Sequence, residues 1–286
     1  MRYKVRHETI YRYSEEVQLS HSLLTCQPRD SEHQQCLDSD IWIDPAPTFC
    51  ERRRDALGNW IAYFSLEEGH RQLTIVCRSM VEVLPRELNS PTALNWEQVQ
   101  PDQPTLAQFL YPSPLTDCPE CKDYAAPSFP PQRAAWEAVL DLLGRIHADF
   151  RYLPGSTLVS TPLTQVMRQR QGVCQDFAHL MVACLRAFGL PARYVSGYLL
   201  TTPPPGQARL VGADASHAWI SVWLPELGWV DLDPTNNCVC NEHHVVLAWG
   251  RDYQEVAPVR GVVLGGGRQR IQVAVDVIPV EPVNQT

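Results

Sequence analysis

The stretch Gly172-Val173-Cys174-Gln175-Asp176-Phe177-Ala178-His179-Leu180 constrains this chain more than any other. From Cys174 onward, Phe177, Leu180, Met181, Cys184, Leu185 and Phe188 recur at helical spacing, and Gly189 with Pro191 ends the pattern. The spacing predicts a buried helix with Cys174 in its first turn. A thiol placed there meets unpaired backbone N–H groups and the positive end of the helix dipole, both of which favour thiolate. Taken alone, the position suits a small core residue better than a nucleophile, because Cys174 lies three residues before Phe177 on the buried face. A nucleophile needs partners from elsewhere in the chain.

Charge and patterning remove several classes of function. The net charge is -8 over 286 residues, and Lys and Arg are scattered, which argues against nucleic acid or an anionic membrane as partner. Arg52-Arg53-Arg54 reads as a solvated loop. Charged residues occupy Met1 to Glu8 where a signal peptide needs an apolar run, and no apolar stretch approaches membrane-spanning length. The expectation is a soluble cytoplasmic protein whose ten cysteines are thiols, one or two of them carrying chemistry.

With 44% hydrophobic residues, the chain can fill one large core or two modest ones. Tyr3, Val5, Thr9, Tyr11 and Tyr13 alternate with charged residues, predicting a long opening strand. Shorter runs at Ser22–Cys26, Ile41–Asp44, Trp60–Leu66 and Leu73–Val83 alternate with turn chemistry, predicting a sandwich-like β domain over 1–85. His7 and His21 read as packing or surface residues. Prolines crowd 86–130, marking a connection. Within it, Cys118-Pro119-Glu120-Cys121 has the spacing of half a zinc site or a redox pair, with Cys238, Cys240, His243 and His244 as a loose second half. Two accessible loop thiols are the simpler reading. After Pro130-Pro131, Trp136, Val139, Leu140, Leu143 and Ile146 share one face of a helix, with His147 off that face. A catalytic core is expected over 131–260 and a tail with one strand, Ile271 to Val277, over 261–286.

Beyond Gly189, Ala192–Leu200 reads as a strand, and a loop rich in Pro and Gly follows through Thr202–Gly206. Ser216–Leu224 and Trp229–Asn236, joined by Pro225-Glu226-Leu227-Gly228, predict an antiparallel hairpin. The hairpin places His217 and Asp233 at the same end. Cys174, His217 and Asp233 can then supply nucleophile, base and orienting acid, with Asp231 a competitor for the last role.

The wording of Gly172–Leu180, Ala192–Tyr198, Ser216-His217-Ala218-Trp219 and Gly228-Trp229-Val230-Asp231-Leu232-Asp233-Pro234-Thr235-Asn236 resembles the transglutaminase-like superfamily. With the β-rich start and the tail His244–Tyr253, the chain is similar to its bacterial group of candidate cysteine proteases. The resemblance implies an α+β fold: a papain-like core, its cysteine helix packed on an antiparallel sheet, preceded by a β-sandwich-like domain. It implies Cys174 as nucleophile, His217 as general base and then acid, and Asp233 as orienting acid, the acid of the Asp-Pro-Thr wording. Trp219 and Tyr198 are candidates to line the cleft, Gln165, Gln169 and Gln171 to donate to an oxyanion, and Asp176 and His179 to serve as scaffold. The expected chemistry is thioester-mediated hydrolysis of peptide or side-chain amides, without cofactor or metal, on a peptide or protein substrate. Transfer to an amine, as in a protein-glutamine transglutaminase, is the alternative, and a non-catalytic binding cleft is a third reading. Oligomeric state is not written in the sequence.

Overall fold

In the computed structural model, which describes residues 1–86, 94–201 and 216–280, the alternation that begins at Tyr3 continues as one 23-residue strand, β1 (Arg2–Leu24). The run expected at Ser22–Cys26 is its far end. β2 (Gln34–Asp44), β3 (Phe49–Arg54), β4 (Trp60–Leu66) and β5 (His70–Val83) follow. Arg52, Arg53 and Arg54 belong to β3, an edge strand exposed along its length, rather than to a loop. Charged side chains on an edge discourage pairing with another chain.

The connection is more ordered than its prolines suggest. It carries the short helix α1 (Glu120–Ala125), and Leu106, Phe109, Cys118 and Cys121 are buried. α2 (Ala135–Asp149) turns Ala138, Val139, Leu142, Leu143 and Ile146 inward and leaves Leu140 outside, a face rotated slightly from the expected one. β6 (Arg151–Tyr152), α3 (Leu163–Gln169) and β7 (Gln171–Gly172) lead to α4 (Cys174–Ala187). The helix stops where Gly189 takes φ +74°, a conformation that glycine adopts without steric cost.

β8 (Ala192–Leu199), β9 (Ser216–Leu224), β10 (Gly228–Asp233), β11 (Cys238–Val239) and β12 (His244–Gly250) form an antiparallel sheet in the order β11-β10-β9-β8-β12. The Pro- and Gly-rich loop expected at Thr202–Gly206 lies outside the described residues. After α5 (Tyr253–Val256), β13 (Val259–Gly265) and β14 (Gln269–Val280) return to the first sheet. β1 pairs with β5 and β14 along its first half and with β4 and β13 along its second. It therefore belongs to two lobes of one sheet. Between the lobes lies a core that includes Tyr13, Val17, Phe64, Leu66, Leu73 and Ile75.

Strand alternation decides how the two sheets meet. Ala218, Ile220, Val222 and Leu224 of β9 face α4, sharing a core with Phe177, Leu180 and Met181. That core runs on into Tyr3, Val5, Val81, Val83, Val275 and Val277, so the first sheet packs directly against the helix-bearing part there. The opposite face of the second sheet carries Arg193, Trp219, Asp231 and Trp249. β12 is an edge strand, and two side-chain amides of the first sheet's region satisfy its backbone. Gln34 donates to the Val246 carbonyl at 2.8 Å and accepts from its N–H at 2.7 Å. Asn59 does the same for Trp249 at 2.9 and 3.1 Å. Buried peptide groups need such partners, and an amide side chain offers a donor and an acceptor together.

Candidate active site

Cys174 is the first residue of α4. Val173 before it has no side-chain acceptor, so the helix start is fixed in the reverse sense. The Asp176 carboxylate accepts from the Val173 N–H at 2.8 Å and from the Thr157 hydroxyl at 2.6 Å. A Cβ at position 172 would come within 2.8 Å of the Asp176 side chain, so this close approach requires Gly172. The result is a half-buried thiol over the open first turn of a 14-residue helix.

The hairpin brings the other two residues. β9 and β10 are in register through Leu232 opposite Ile220, which puts Asp233 one step further on, diagonal to His217 and on its face. The His217 Nε2 lies 2.7 Å from Asp233 Oδ2. Cys174 lies on the other side of the ring, close enough to His217 to act on its titration. With Nε2 committed to the carboxylate, Nδ1 is the nitrogen left for the thiol. Asp231 takes no part in this contact. Its Oδ2 accepts instead from Trp219 Nε1 at 3.1 Å.

Asp233 is wholly buried, and burial alone would favour its neutral form. Hydrogen bonds from His217, His244 and Asn236 outweigh this and hold the carboxyl well below the usual carboxylate range. Asn236 Nδ2 donates to Oδ2 at 2.6 Å, and the N–H groups of Thr235 and Asn236 donate to Oδ1 at 2.9 and 3.2 Å. His217 is pulled both ways. Burial opposes its charge, but the bond to Asp233 and the contact with Cys174 prevail, and it is pushed up to about 10. At neutral pH the imidazole of His217 is therefore protonated.

Two expectations about neighbours are corrected. Tyr198 was expected to line the cleft, yet it is 1% exposed and turned to the first sheet, its hydroxyl 2.8 Å from His7 Nδ1. Trp219 is 0% exposed. It lies beneath the histidines, with ring centroids 6.0 Å from His217 and 5.3 Å from His244, in space that Gly197 leaves open on β8. Both residues are supports, because strand alternation turns them into the interior. His179 is likewise buried and accepts from the Tyr253 N–H at 3.1 Å. Gln165 and Gln169 are exposed, and Gln171 is half-buried in β7.

One residue beside the site was read only as a loose metal ligand, and another escaped the sequence reading. His244 Nε2 approaches Asp233 Oδ2 at 3.4 Å from β12, a position for which the doublet His243-His244 was the only signal. Tyr152 is about half exposed and close enough to Cys174 that, with its own burial, the thiol raises the phenol's pKa. The parallel pairing of Tyr152 with Gly172 puts it there, and no local pattern announces such a two-residue bridge. Leu158 and Val159 are also exposed nearby, and Gln175 on α4 donates to the Val159 carbonyl at 3.4 Å.

The zinc idea is redirected. Cys118 and Cys121 are buried rather than accessible, with their sulfurs 2.6 Å apart. Among the described residues, the one cluster of three metal-type donors is Asp233, Cys238 and His244. A separate cavity of about 450 Å³ lies between the two sheets, lined by Arg86, Arg193, Trp229, His244 and Trp249 among others. Cys174 and His217 do not line it.

A thiol at a helix mouth, packed on an antiparallel sheet and faced by a histidine and a buried acid, defines the papain-like class of folds. Residues 3–82 match the bacterial transglutaminase-like N-terminal region, and residues 122–234 match the transglutaminase-like superfamily. An uncharacterised Mycobacterium tuberculosis protein is 44% identical over 98% of this chain and 93% of its own. One from Mycobacterium leprae is 31% identical over 96% and 98%. The chain belongs to this bacterial transglutaminase-like family. A crystal structure of a candidate cysteine protease from Cytophaga hutchinsonii has the same fold, with a TM-score of 0.80 at 21% identity over 99% of this chain and 92% of that one. A Pseudomonas aeruginosa protein-glutamine gamma-glutamyltransferase is 45% identical over a stretch covering 23% of this chain and 10% of its own. Among the described residues, no helix is long and apolar enough to cross a membrane.

Proposed function

We propose that this protein is a cysteine-dependent acyl-group enzyme acting on peptide or side-chain amides, with hydrolysis as its ordinary outcome. The observation that carries the reading is the continuous line of contacts from Cys174 through His217 to the buried Asp233 carboxylate. In this mechanism the Cys174 sulfur attacks the amide carbon and the C–N bond breaks, giving a thioester and an amine. His217, which holds the proton, delivers it to the leaving nitrogen. His217 then accepts a proton from water, whose oxygen attacks the thioester, and the sulfur leaves with the carboxylic acid formed. Asp233 fixes the imidazole and balances its charge throughout. The Cys174 N–H, free at the first turn of α4, is a donor for the oxyanion.

Tyr152, Leu158 and Val159 support an extended peptide as substrate, since they offer an exposed, largely apolar wall beside the thiol. The stretch shared with the Pseudomonas aeruginosa gamma-glutamyltransferase favours a second reading, in which an amine resolves the thioester in place of water. A cytoplasmic location fits the thiols not fully buried, Cys36, Cys50, Cys174, Cys238 and Cys240, which a reducing compartment preserves.

The test is mass spectrometry of a peptide mixture incubated with wild type and with Cys174→Ala, with and without a primary amine. Cys174-dependent new peptide termini or deamidated side chains support hydrolysis. Cys174-dependent amine adducts move the assignment to a transglutaminase. Thiol alkylation at pH 6 that is no faster at Cys174 than at Cys50, and unchanged in His217→Ala, removes the enzymatic reading.

A further inference from the structure

β10 and β11 set Asp233 directly opposite Cys238, and β12 begins at His244 on the far side of the same carboxylate. The carboxylate oxygen, the thiol sulfur and an imidazole nitrogen all lie within 4.8 Å of one another. We propose that Asp233, Cys238 and His244 form a binding site for a borderline-soft divalent cation such as Zn²⁺, and that its occupation withdraws Asp233 from His217.

The donor set suits that class of ion. Thiolate, imidazole and carboxylate together are the ligand types of tetrahedral zinc, and a hard ion such as Mg²⁺ has no use for the sulfur. Zinc bonds of about 2.0–2.3 Å put neighbouring tetrahedral donors roughly 3.3–3.8 Å apart. His244 Nε2 and Asp233 Oδ2, at 3.4 Å, already have that separation. Cys238 then has on the order of 1 Å to travel, within reach of a side-chain rotation. It is half-buried, whereas Asp233 and His244 are buried, so it marks the side from which an ion enters.

The surroundings also fit. His244 Nδ1 lies 3.3 Å from Asn241 Oδ1, a ready acceptor for the ring N–H once Nε2 is ligated. Such a partner orients metal-bound histidines. Asp233 Oδ1 keeps the N–H groups of Thr235 and Asn236 at 2.9 and 3.2 Å, which leaves Oδ2 to face the ion. Binding forms Zn–S, Zn–N and Zn–O bonds, with water in the fourth position. It releases one proton, from the Cys238 thiol, while the ring proton of His244 moves from Nε2 to Nδ1, with no change of oxidation state. The two negative ligands then cancel the charge of the ion, and affinity rises with pH because a proton leaves.

The binding site stands on its own chemistry, while its inhibitory effect rests on the proposed role of the Cys174, His217 and Asp233 line. With Oδ2 taken up by the metal, His217 Nε2 loses the oxygen it meets at 2.7 Å, and with it the contact that orients the imidazole toward the thiol. The site would act as a reversible brake.

The test uses the full, reduced chain titrated with Zn²⁺ against a chromophoric chelator, and loaded with Co²⁺ for a thiolate-to-metal charge-transfer band. Cys238→Ser, Cys238→Ala, Cys174→Ala and a Cys118→Ser/Cys121→Ser double variant are compared. The expected result is one ion per chain, bound at least tenfold more weakly in both Cys238 variants. The other two variants should keep the affinity and the Co²⁺ band. Unchanged affinity in the Cys238 variants, or loss confined to Cys174→Ala or to the double variant, overturns the site. A second arm measures alkylation of Cys174 with and without Zn²⁺. Slowing in wild type, reversed by chelator and absent in Cys238→Ser, establishes the brake. Binding at Cys238 with unslowed alkylation leaves the site and removes the brake. If alkylation in metal-free protein is indifferent to His217→Ala, the proposed enzymatic role fails while the binding result still stands.

Discussion

His7, in the first sheet, and His217, in the second, are both buried imidazoles with a partner on a ring nitrogen, yet they titrate in opposite directions. His7 meets the Tyr198 and Thr9 hydroxyls at 2.8 and 3.1 Å, and burial lowers it to about 4. His217 meets an ionised carboxylate and a thiol, and is pushed up to about 10. Burial penalises the charged form in both, so the sign is decided by whether the partner carries charge. A neutral partner makes a histidine part of the packing. An anion makes it a store of one proton at neutral pH.

The strongest way to break the contrast is to give His217 a neutral partner. Asp233→Asn keeps the shape and removes the charge. His217 is expected to titrate well below about 10 when followed by NMR, and Cys174-dependent turnover to fall on the order of 10⁴-fold, as the same exchange does in a Ser-His-Asp triad. An unchanged His217 titration would mean that the contact with Cys174 alone keeps the imidazole protonated.

Acid sharpens the contrast from the other side. His7 and His179 both sit at about 4 in the folded state, through burial, against an ordinary 6.5. Their contribution is therefore present above pH 6.5 and lost as pH falls through about 4, on the order of 3 kcal/mol each. Denaturant midpoints measured between pH 7 and pH 4 should fall accordingly, and less steeply in His7→Phe.

His217 has the opposite dependence. Its raised pKa favours the folded state fully below pH 6.5, and that contribution is lost as pH rises through about 10. Turnover limited by its proton should fall about tenfold per pH unit beyond that point, read from the alkaline limb of a pH profile. The smallest effect belongs to Tyr198→Phe, which removes one hydrogen bond to His7 at a cost of about 1 kcal/mol in chemical denaturation, with turnover unchanged.

How far this contrast can be seen in the sequence depends on the reach of the interactions. The α4 helix and the β9–β10 hairpin follow from local periodicity and turn residues, and those two elements suffice to bring Cys174, His217 and Asp233 toward one place. Which strand face turns to the first sheet is decided by tertiary packing, so Tyr198 and Trp219 looked like cleft residues when they are interior supports. His244 reaches Asp233 only because β12 pairs with β8 at a separation of 45 in sequence, with Leu199 opposite His244. β3 was hidden for a different reason. An edge strand of charged residues has no apolar alternation to read, and Arg52 to Arg54 look like loop until their neighbour is known.

The pairing of β1 with β14 has a consequence for the order in which the protein is made. Arg2 of the first strand lies opposite Val280 of the last. During synthesis, β1 therefore leaves the ribosome with one of its flanking strands still untranslated for nearly the entire length of the chain. At 5–20 residues per second, roughly, that interval lasts on the order of tens of seconds. Until it ends, Tyr3 and Val5 lack the valines of β14, and for its first half they also lack the helix-bearing core that covers them. An apolar strand left half-paired for that long is exposed to aggregation, and pairing with β14 is what removes the exposure.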